Sequence, residues 1–502
     1  RNLSLLGRCR FQWLHYGATW IAATTMIMTL IILGFYWQKC LLTFYNTHKL
    51  WSEELDLQWI PFLGIRFHLL LDGLSILFII LVAFLALFAI FYSYCKKVVN
   101  AGLFCFFILW SVSAVIGLLA AADLFLFFLF WEMVTIPIYF LIVLWGRRDS
   151  NTQLRFNGAI RLVIFTQLSG LLMLISITSL ALVNFTLSGN WTFDSAILIN
   201  TPISSYVEFL LMFGFLAAFI IRMPLVPFHG WFIAAHIESS TTTSMVISGF
   251  LTSTAIYGIL RFAIPIFPNA SITVAPFVIV IALFSLYYSA LLIFNQNDVK
   301  KLIAYVHIAL ISFLMAMVYI GGLLTYQGII IQSIGISILV TGLFTISGLL
   351  ISRYQTRNLN QLVRFGGEVN HLSAFTVIFT LTTFGIPGTA NFFGNLILLF
   401  GSFEQYSFGS ILLIIGLLFV SIAILIRMQP MFHEHSDPKK GNFSKVLTAL
   451  SKKDLCLLIL LILILFIIGI YPQFILDTSY PVLEKIQHYW ENSQIIVFKE
   501  RT

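Results

Sequence analysis

Two charged side chains stand where lipid should surround them. Glu132 lies inside FLFFLFWEMVTIPIYF, and Arg222 closes VEFLLMFGFLAAFIIR. An ionised group at membrane depth is costly and normally finds a partner or lines a polar cavity, so the two are expected to pair. One use of such a pair is proton carriage, with Glu132 protonated transiently. The other is a structural tie between two helices. Arginine favours the tie, because its pKa lies above about 12 and it does not release its proton in use.

Four further groups could extend a proton path. Arg161, in NGAIRLVIFTQ, is a basic neighbour or an interfacial anchor. His229 and His236 flank the resumption of the helix after Arg222, with Glu238 beside them. Histidines carry protons near neutral pH, or sit at helix ends simply hydrogen-bonded. His307, in KKLIAYVHIALISF, is the strongly titratable group inside its span. Asp72 and Asp298 read as helix-start caps.

Metal, nucleotide and nucleophile signatures are missing. The five cysteines (Cys9, Cys40, Cys95, Cys105 and Cys456) have no CxxC or cluster spacing. The triplet His433 to His435, HEH, lies beside lysines in a polar loop and reads as solvated. No redox step is expected of this chain by itself, and no cofactor, although bound lipids are compatible with its surface. The net charge of +8 is spread over short loops rather than gathered in a stripe, so nucleic acid is not an expected partner.

Composition fixes the solvent. Sixty per cent of the 502 residues are hydrophobic and 10% are charged, against about a quarter charged in soluble proteins. Each span needs about 20 apolar residues, and about 13 fit here: roughly 17–37, 69–93, 102–121, 124–145, 157–185, 206–235, 244–262, 272–294, 299–320, 327–352, 371–403, 408–429 and 455–471. The expected fold is an all-α polytopic membrane protein. Gln38 to His68 is a polar loop whose end, WIPFLGIRFHLLLDG, suits a short hairpin. Loops after even-numbered spans hold the basic residues, among them Lys96, Lys97, Arg147, Arg148, Arg155, Lys300, Lys301, Arg353, Arg357, Arg364, Lys439, Lys440 and Lys445. Positive loops stay inside, so the chain should start inside and end outside after Tyr471.

Two spans are too long to be straight, 206–235 and 371–403. Each holds a proline break, MPLVP at 223–227 and FGIPG at 384–388. A break at membrane depth survives where protein or water re-satisfies the freed backbone groups. Spans three to seven and eight to twelve then form two five-helix units, 102–262 and 272–429, each with one broken helix in fourth place. The flanks are 1–101 and 430–502. Five is odd, so the units are inverted repeats, a transporter pattern.

The order of FHLLLDGLSILF, DLFLFFLFWEMVTIPIYFLIVLWG, FTQLSGLLML, MPLVPFHGW, NDVKKLIAY, FGIPGTANFFGNLILLFGSF and IYPQFILDTS carries a resemblance. The chain resembles the antiporter-like membrane subunits, chain 4 or chain M, of NADH:quinone oxidoreductase, respiratory complex I. The resemblance implies two inverted five-helix units within 14 helices. It also implies a hetero-oligomer with other membrane-arm subunits and lipids, flavin and iron–sulfur clusters in other subunits, and proton translocation. The family's first helix has no counterpart before Gly17, so either another chain supplies it or the complex does without it. The family's glutamate on the fifth helix is kept as Glu132, but Arg222 replaces its lysine partner. Ser253 stands at the position of a further lysine, Leu310 and Ile336 at positions of histidines, and Asn395 at that of a glutamate on the second broken helix.

Three functions follow as alternatives: a proton-translocating subunit, a structural subunit whose own proton route is degraded, or a free-standing cation/proton antiporter subunit. Abundant Phe and Ile suggest the mitochondrial inner membrane, with a bacterial plasma membrane as the alternative.

Overall fold

The computed structural model describes residues 2–47, 51–147, 151–362, 370–429 and 450–501. His433 to His435, Arg148, Arg364, Lys439, Lys440 and Lys445 lie outside the described residues. Lipid offers no partners to a peptide group, so a chain this apolar satisfies its backbone within helices. Twelve helices among the described residues are long and apolar enough to cross a membrane.

In order, α1 (Asn2–Thr47) leads into a hairpin, β1 (Trp51–Ile60) and β2 (Ile65–Asp72). Then come α2 (Gly73–Cys95), α3 (Ala101–Ala120), α4 (Leu124–Trp145) and α5 (Thr152–Ser188). After the short α6 (Ser195–Leu198) follow α7 (Ser205–Arg222), α8 (Gly230–Glu238) and α9 (Thr241–Gly258). A π-helical turn, Ile259–Ala263, joins α9 to α10 (Ile264–Ile266). The second half holds α11 (Pro268–Phe294), α12 (Val299–Ile320), α13 (Leu323–Tyr354), the short α14 (Leu359–Leu362), α15 (Asn370–Thr382) and α16 (Ala390–Met428). The chain closes with α17 (Lys452–Ile470) and α18 (Gln473–Arg501).

The expected count of about 13 and the observed twelve differ at one helix. α16 runs through two expected spans, and Tyr406 (φ −152°, ψ 79°) kinks it inside the gap expected between them. The all-α expectation has one exception, the antiparallel β1–β2 hairpin, which begins at Trp51, earlier than the sequence suggested. Gly64 turns it in a left-handed conformation, φ 67°, and a Cβ there would lie 2.0 Å from the Trp191 carbonyl oxygen. His68 Nδ1 meets Asp194 at 2.7 Å and its Nε2 meets Glu54 at 3.0 Å, pinning the hairpin to the loop before α6. The hydrogen bond to Asp194 raises the His68 pKa, against the opposing effect of burial. Burial acts the other way on Asp194, yet hydrogen bonds from His68 and the Ala196 N–H leave its carboxyl below the ordinary value.

The caps read from sequence are present. Asp72 accepts from Ser75 N–H at 2.9 Å and Ser75 Oγ accepts from Asp72 N–H at 2.9 Å, a reciprocal capping box. Asp298 accepts from the Lys300 and Lys301 N–H groups at 2.9 and 3.1 Å.

Both breaks fall at the prolines. Between α7 and α8, Trp231 Nε1 donates to the Ile221 carbonyl at 3.0 Å, and the Val226 N–H donates to Ser285 Oγ at 3.1 Å. Protein groups thus satisfy what the interrupted helix frees. Between α15 and α16, Asn395 Nδ2 donates to the Phe384 carbonyl at 2.7 Å. Gly385 and Gly388 take φ of +115° and +91° there, a region L side chains rarely adopt. Gly469 of α17 packs on this break so closely that a Cβ would sit 2.3 Å from the Gly388 carbonyl oxygen.

Candidate functional site

The first site is built on α4, α5 and α7, which pack together. Ser169 of α5 donates to the Ala218 carbonyl of α7 at 2.9 Å, and Gly214 of α7 leaves room for Ser176. Glu132 and Trp131 are neighbours on α4, so their side chains diverge by roughly 100°. Trp131 turns inward to Arg222, and Glu132 turns to α5. The fully buried Arg222 guanidinium stacks on the Trp131 ring, 3.9 Å from its centroid. Its Nη1 donates to the Trp131 carbonyl at 3.2 Å. Glu132 Oε2 accepts a short hydrogen bond from Gln167 Nε2.

The direct Glu132–Arg222 ion pair expected from sequence is not formed. Glu132 Oε1 and Arg222 Nε and Nη2 are buried with no hydrogen-bond partner among the described residues. The reason is local: an indole face one residue away takes the cation, and an amide takes the carboxylate. A cation over a desolvated indole is worth about 2 kcal/mol or more. Trp131, Gln167 and Gly170 were not singled out in the sequence, although all three lie within the quoted stretches. Gly170 fits because any Cβ there would lie 1.6 Å from Glu132 Oε1.

The second site gathers around α8. His236 is buried, stacked on Phe344 with centroids 4.7 Å apart and planes at 11°. Phe232 lies edge-on to it at 4.3 Å and reaches His307 on α12 at 5.3 Å. Both ring nitrogens of His236 and of His307 lack hydrogen-bond partners among the described residues. About two turns before His307 on α12 stands Lys300, which is 1% exposed. Its Nζ donates to the Ser239 carbonyl at 2.7 Å and Ser244 Oγ at 3.4 Å. Lys300 counted as a loop charge in the sequence. Only the packing of α12 against α8 and α9 shows that its first turn is sunk.

His229, half-buried, sits at the start of α8 near Tyr288 and Tyr305, with ring centroids at 5.5 and 6.3 Å. Arg161 is exposed on α5, unlike the buried groups of both sites.

The lysine of the resemblance is absent at 253 in the first unit, as are its histidines at 310 and 336 and its glutamate at 395 in the second. Ser253 Oγ donates back to the Gly249 carbonyl at 2.6 Å. Leu310 and Ile336 are buried in the apolar core. Asn395 is engaged in closing the break. Instead, α12, α13 and α16 bury neutral polar groups. The amide nitrogen and oxygen of Gln332 and of Asn391 lack partners among the described residues, as do the hydroxyls of Thr325, Tyr319 and Tyr326. Gln332 faces Gly394 and Asn391 faces Gly335, where added Cβ atoms would lie 2.6 and 2.9 Å from the amide oxygens.

The transmembrane family described as NADH:quinone oxidoreductase/Mrp antiporter matches residues 121–424. NADH-quinone oxidoreductase subunit M of Escherichia coli (strain K12) is 38% identical over 94% of this chain and 93% of its own. This chain belongs to that family. NADH-ubiquinone oxidoreductase chain 4 of Arabidopsis thaliana is 31% identical over 86% of this chain and 85% of its own. A chain of respiratory complex I from Thermus thermophilus shares the fold, with a TM-score of 0.81, 23% identity, and coverage of 93% and 94% of the two chains. Within the NADH:quinone oxidoreductase/Mrp antiporter family, both helix breaks and Glu132 stand inside the matched region, as do Arg222, His236, Lys300 and His307.

Proposed function

We propose that this chain is a membrane-arm subunit of an NADH:quinone oxidoreductase and moves protons across an energy-conserving membrane, bacterial plasma membrane or mitochondrial inner membrane. Electrons pass through other subunits, where flavin and iron–sulfur clusters belong. Other membrane-arm subunits and lipids are its partners. The units 102–262 and 272–429 act as two inverted halves, each opening at its broken helix.

One observation carries this reading. Polar and titratable side chains are buried along the apolar helices of both units, and many of their atoms lack hydrogen-bond partners among the described residues. The series runs from Glu132 and Arg222, past Lys300, His236 and His307, to Gln332 and Asn391. Leaving such an atom unsatisfied costs about 1–3 kcal/mol, and bridging water removes most of that cost. The groups therefore mark a hydrated route. Along it, Glu132 is the acid that changes charge, and Arg222 is a fixed cation that biases it. Lys300 can release a proton in a low-dielectric site, as an arginine cannot, and its acceptors here are neutral oxygens.

A second reading, a structural subunit with a degraded route, rests on a specific observation. Among the described residues of α11 to α16, Lys300 and His307 are the buried Lys, Arg, His, Asp or Glu side chains. Glu132→Gln and Lys300→Met in the reconstituted complex separate the two. A fall in protons moved per NADH oxidised supports translocation. An unchanged ratio in a fully assembled complex supports the structural reading.

A further inference from the structure

The inner ends of α2, α4, α5, α9 and α13 enclose a cavity of about 520 Å³ that neither proposed proton site uses in full. Arg147, Arg155, Arg357 and Lys300 line it, together with Lys96. Lys96 is held by Asp454 at 3.1 Å, so its charge is already matched. Lys300 Nζ donates to the Ser239 carbonyl, a neutral acceptor, and Arg357 Nη1 donates to the Ile237 carbonyl at 2.6 Å. The Nε atoms of Arg147 and Arg155 are buried with no hydrogen-bond partner among the described residues. Ser240, the N-cap of the 18-residue helix α9, and the helix's first threonines line the same space. A helix N-terminus adds a partial positive charge and free N–H donors. The donor set is that of an anion site built for several oxygens.

Part of the cavity wall is apolar. Val99 and Leu144 line it and are 57% and 48% exposed. From them an exposed strip continues along α3 and α4 through Leu103 and Phe140. The arrangement matches an amphiphile: an anionic head among the arginines and a hydrocarbon tail along the strip. A free phosphate would use only the first half.

We infer that this cavity binds the phosphodiester headgroup of an anionic phospholipid whose acyl chain lies along the outer face of α3 and α4. The assignment is independent of any proton passing through Lys300. It predicts that the delipidated complex, incubated with phosphatidylglycerol vesicles, retains one more lipid by native mass spectrometry than an Arg147→Gln/Arg155→Gln complex. Removing two charges at about 1 kcal/mol each lowers retention about 30-fold. The Arg147→Lys/Arg155→Lys complex, which keeps both charges, retains the lipid within a few-fold. NADH oxidation is unchanged in all three. Equal retention of phosphatidylcholine overturns the assignment, as does equal loss in the lysine variant. Displacement of the lipid by millimolar inorganic phosphate makes it a free-anion site. Density for an acidic segment of a neighbouring subunit in the cavity makes it a protein interface. Either outcome overturns the lipid.

Discussion

Gly170→Ala tests the carboxylate geometry with the smallest possible change. In an ordinary helix this substitution stabilises by about 0.5–1 kcal/mol, because alanine loses less backbone freedom on folding. At Gly170 the new methyl would lie 1.6 Å from Glu132 Oε1. The carboxylate end is movable, so the backbone need not shift, but the carboxylate must swing away. Swinging breaks its bond from Gln167, and a hydrogen bond to a charged group is worth about 1.5–3 kcal/mol. The net is a loss of roughly 1–2 kcal/mol despite the better helix former. Gly102→Ala is the control: its methyl meets only Ala18 Cβ, at an ordinary 3.5 Å, so the complex should be as stable as before or slightly more so. The assays are the melting temperature of the purified complex and the protons moved per NADH in vesicles. Gly170→Ala should lower both while Gly102→Ala lowers neither. If Gly170→Ala melts higher and pumps normally, the placement of Glu132 against α5 is wrong.

Two other outcomes follow from the described contacts. Asn395→Ala leaves the Phe384 carbonyl without its 2.7 Å donor and should cost about 1 kcal/mol, the low end for a partly exposed group, read as earlier melting; equal melting would mean water replaces the amide. The outer hairpin should be pH-sensitive. A histidine with a raised pKa adds stability that is complete below its ordinary value and is lost as pH rises through the raised one. Asp194, with a lowered pKa, adds stability above the ordinary carboxylate value that is lost as pH falls through the lowered one. Docking of β1 and β2 should therefore be firmest between about pH 4 and 6.5. Corrected hydrogen exchange of the hairpin amides should quicken toward pH 9, and His68→Ala should flatten the profile.

Much of the architecture could be read from the residues. Long apolar runs in lipid have essentially one solution, the helix, so span positions follow from composition alone. Proline leaves the same mark in sequence and fold, because it removes a donor wherever it stands; MPLVP and FGIPG both became breaks. Capping aspartates act on N–H groups two or three residues away, so Asp72 and Asp298 were also legible.

The site was only half legible, because its partners come from separate helices. Sequence marked Glu132 and Arg222 as charges needing compensation, and His236 and His307 as titratable groups in apolar runs. It did not choose among compensating partners. Which face of α4 meets α7 decided that Arg222 stacks on Trp131 rather than pairing with Glu132. The depth of α12 turned Lys300 from a loop cation into a buried one, and the convergence of five helix ends made a cavity from arginines scattered over 200 residues of chain. Burial and partnership are properties of packed surfaces. Local residue chemistry determines which groups need a partner, and only tertiary packing decides which partner each one meets.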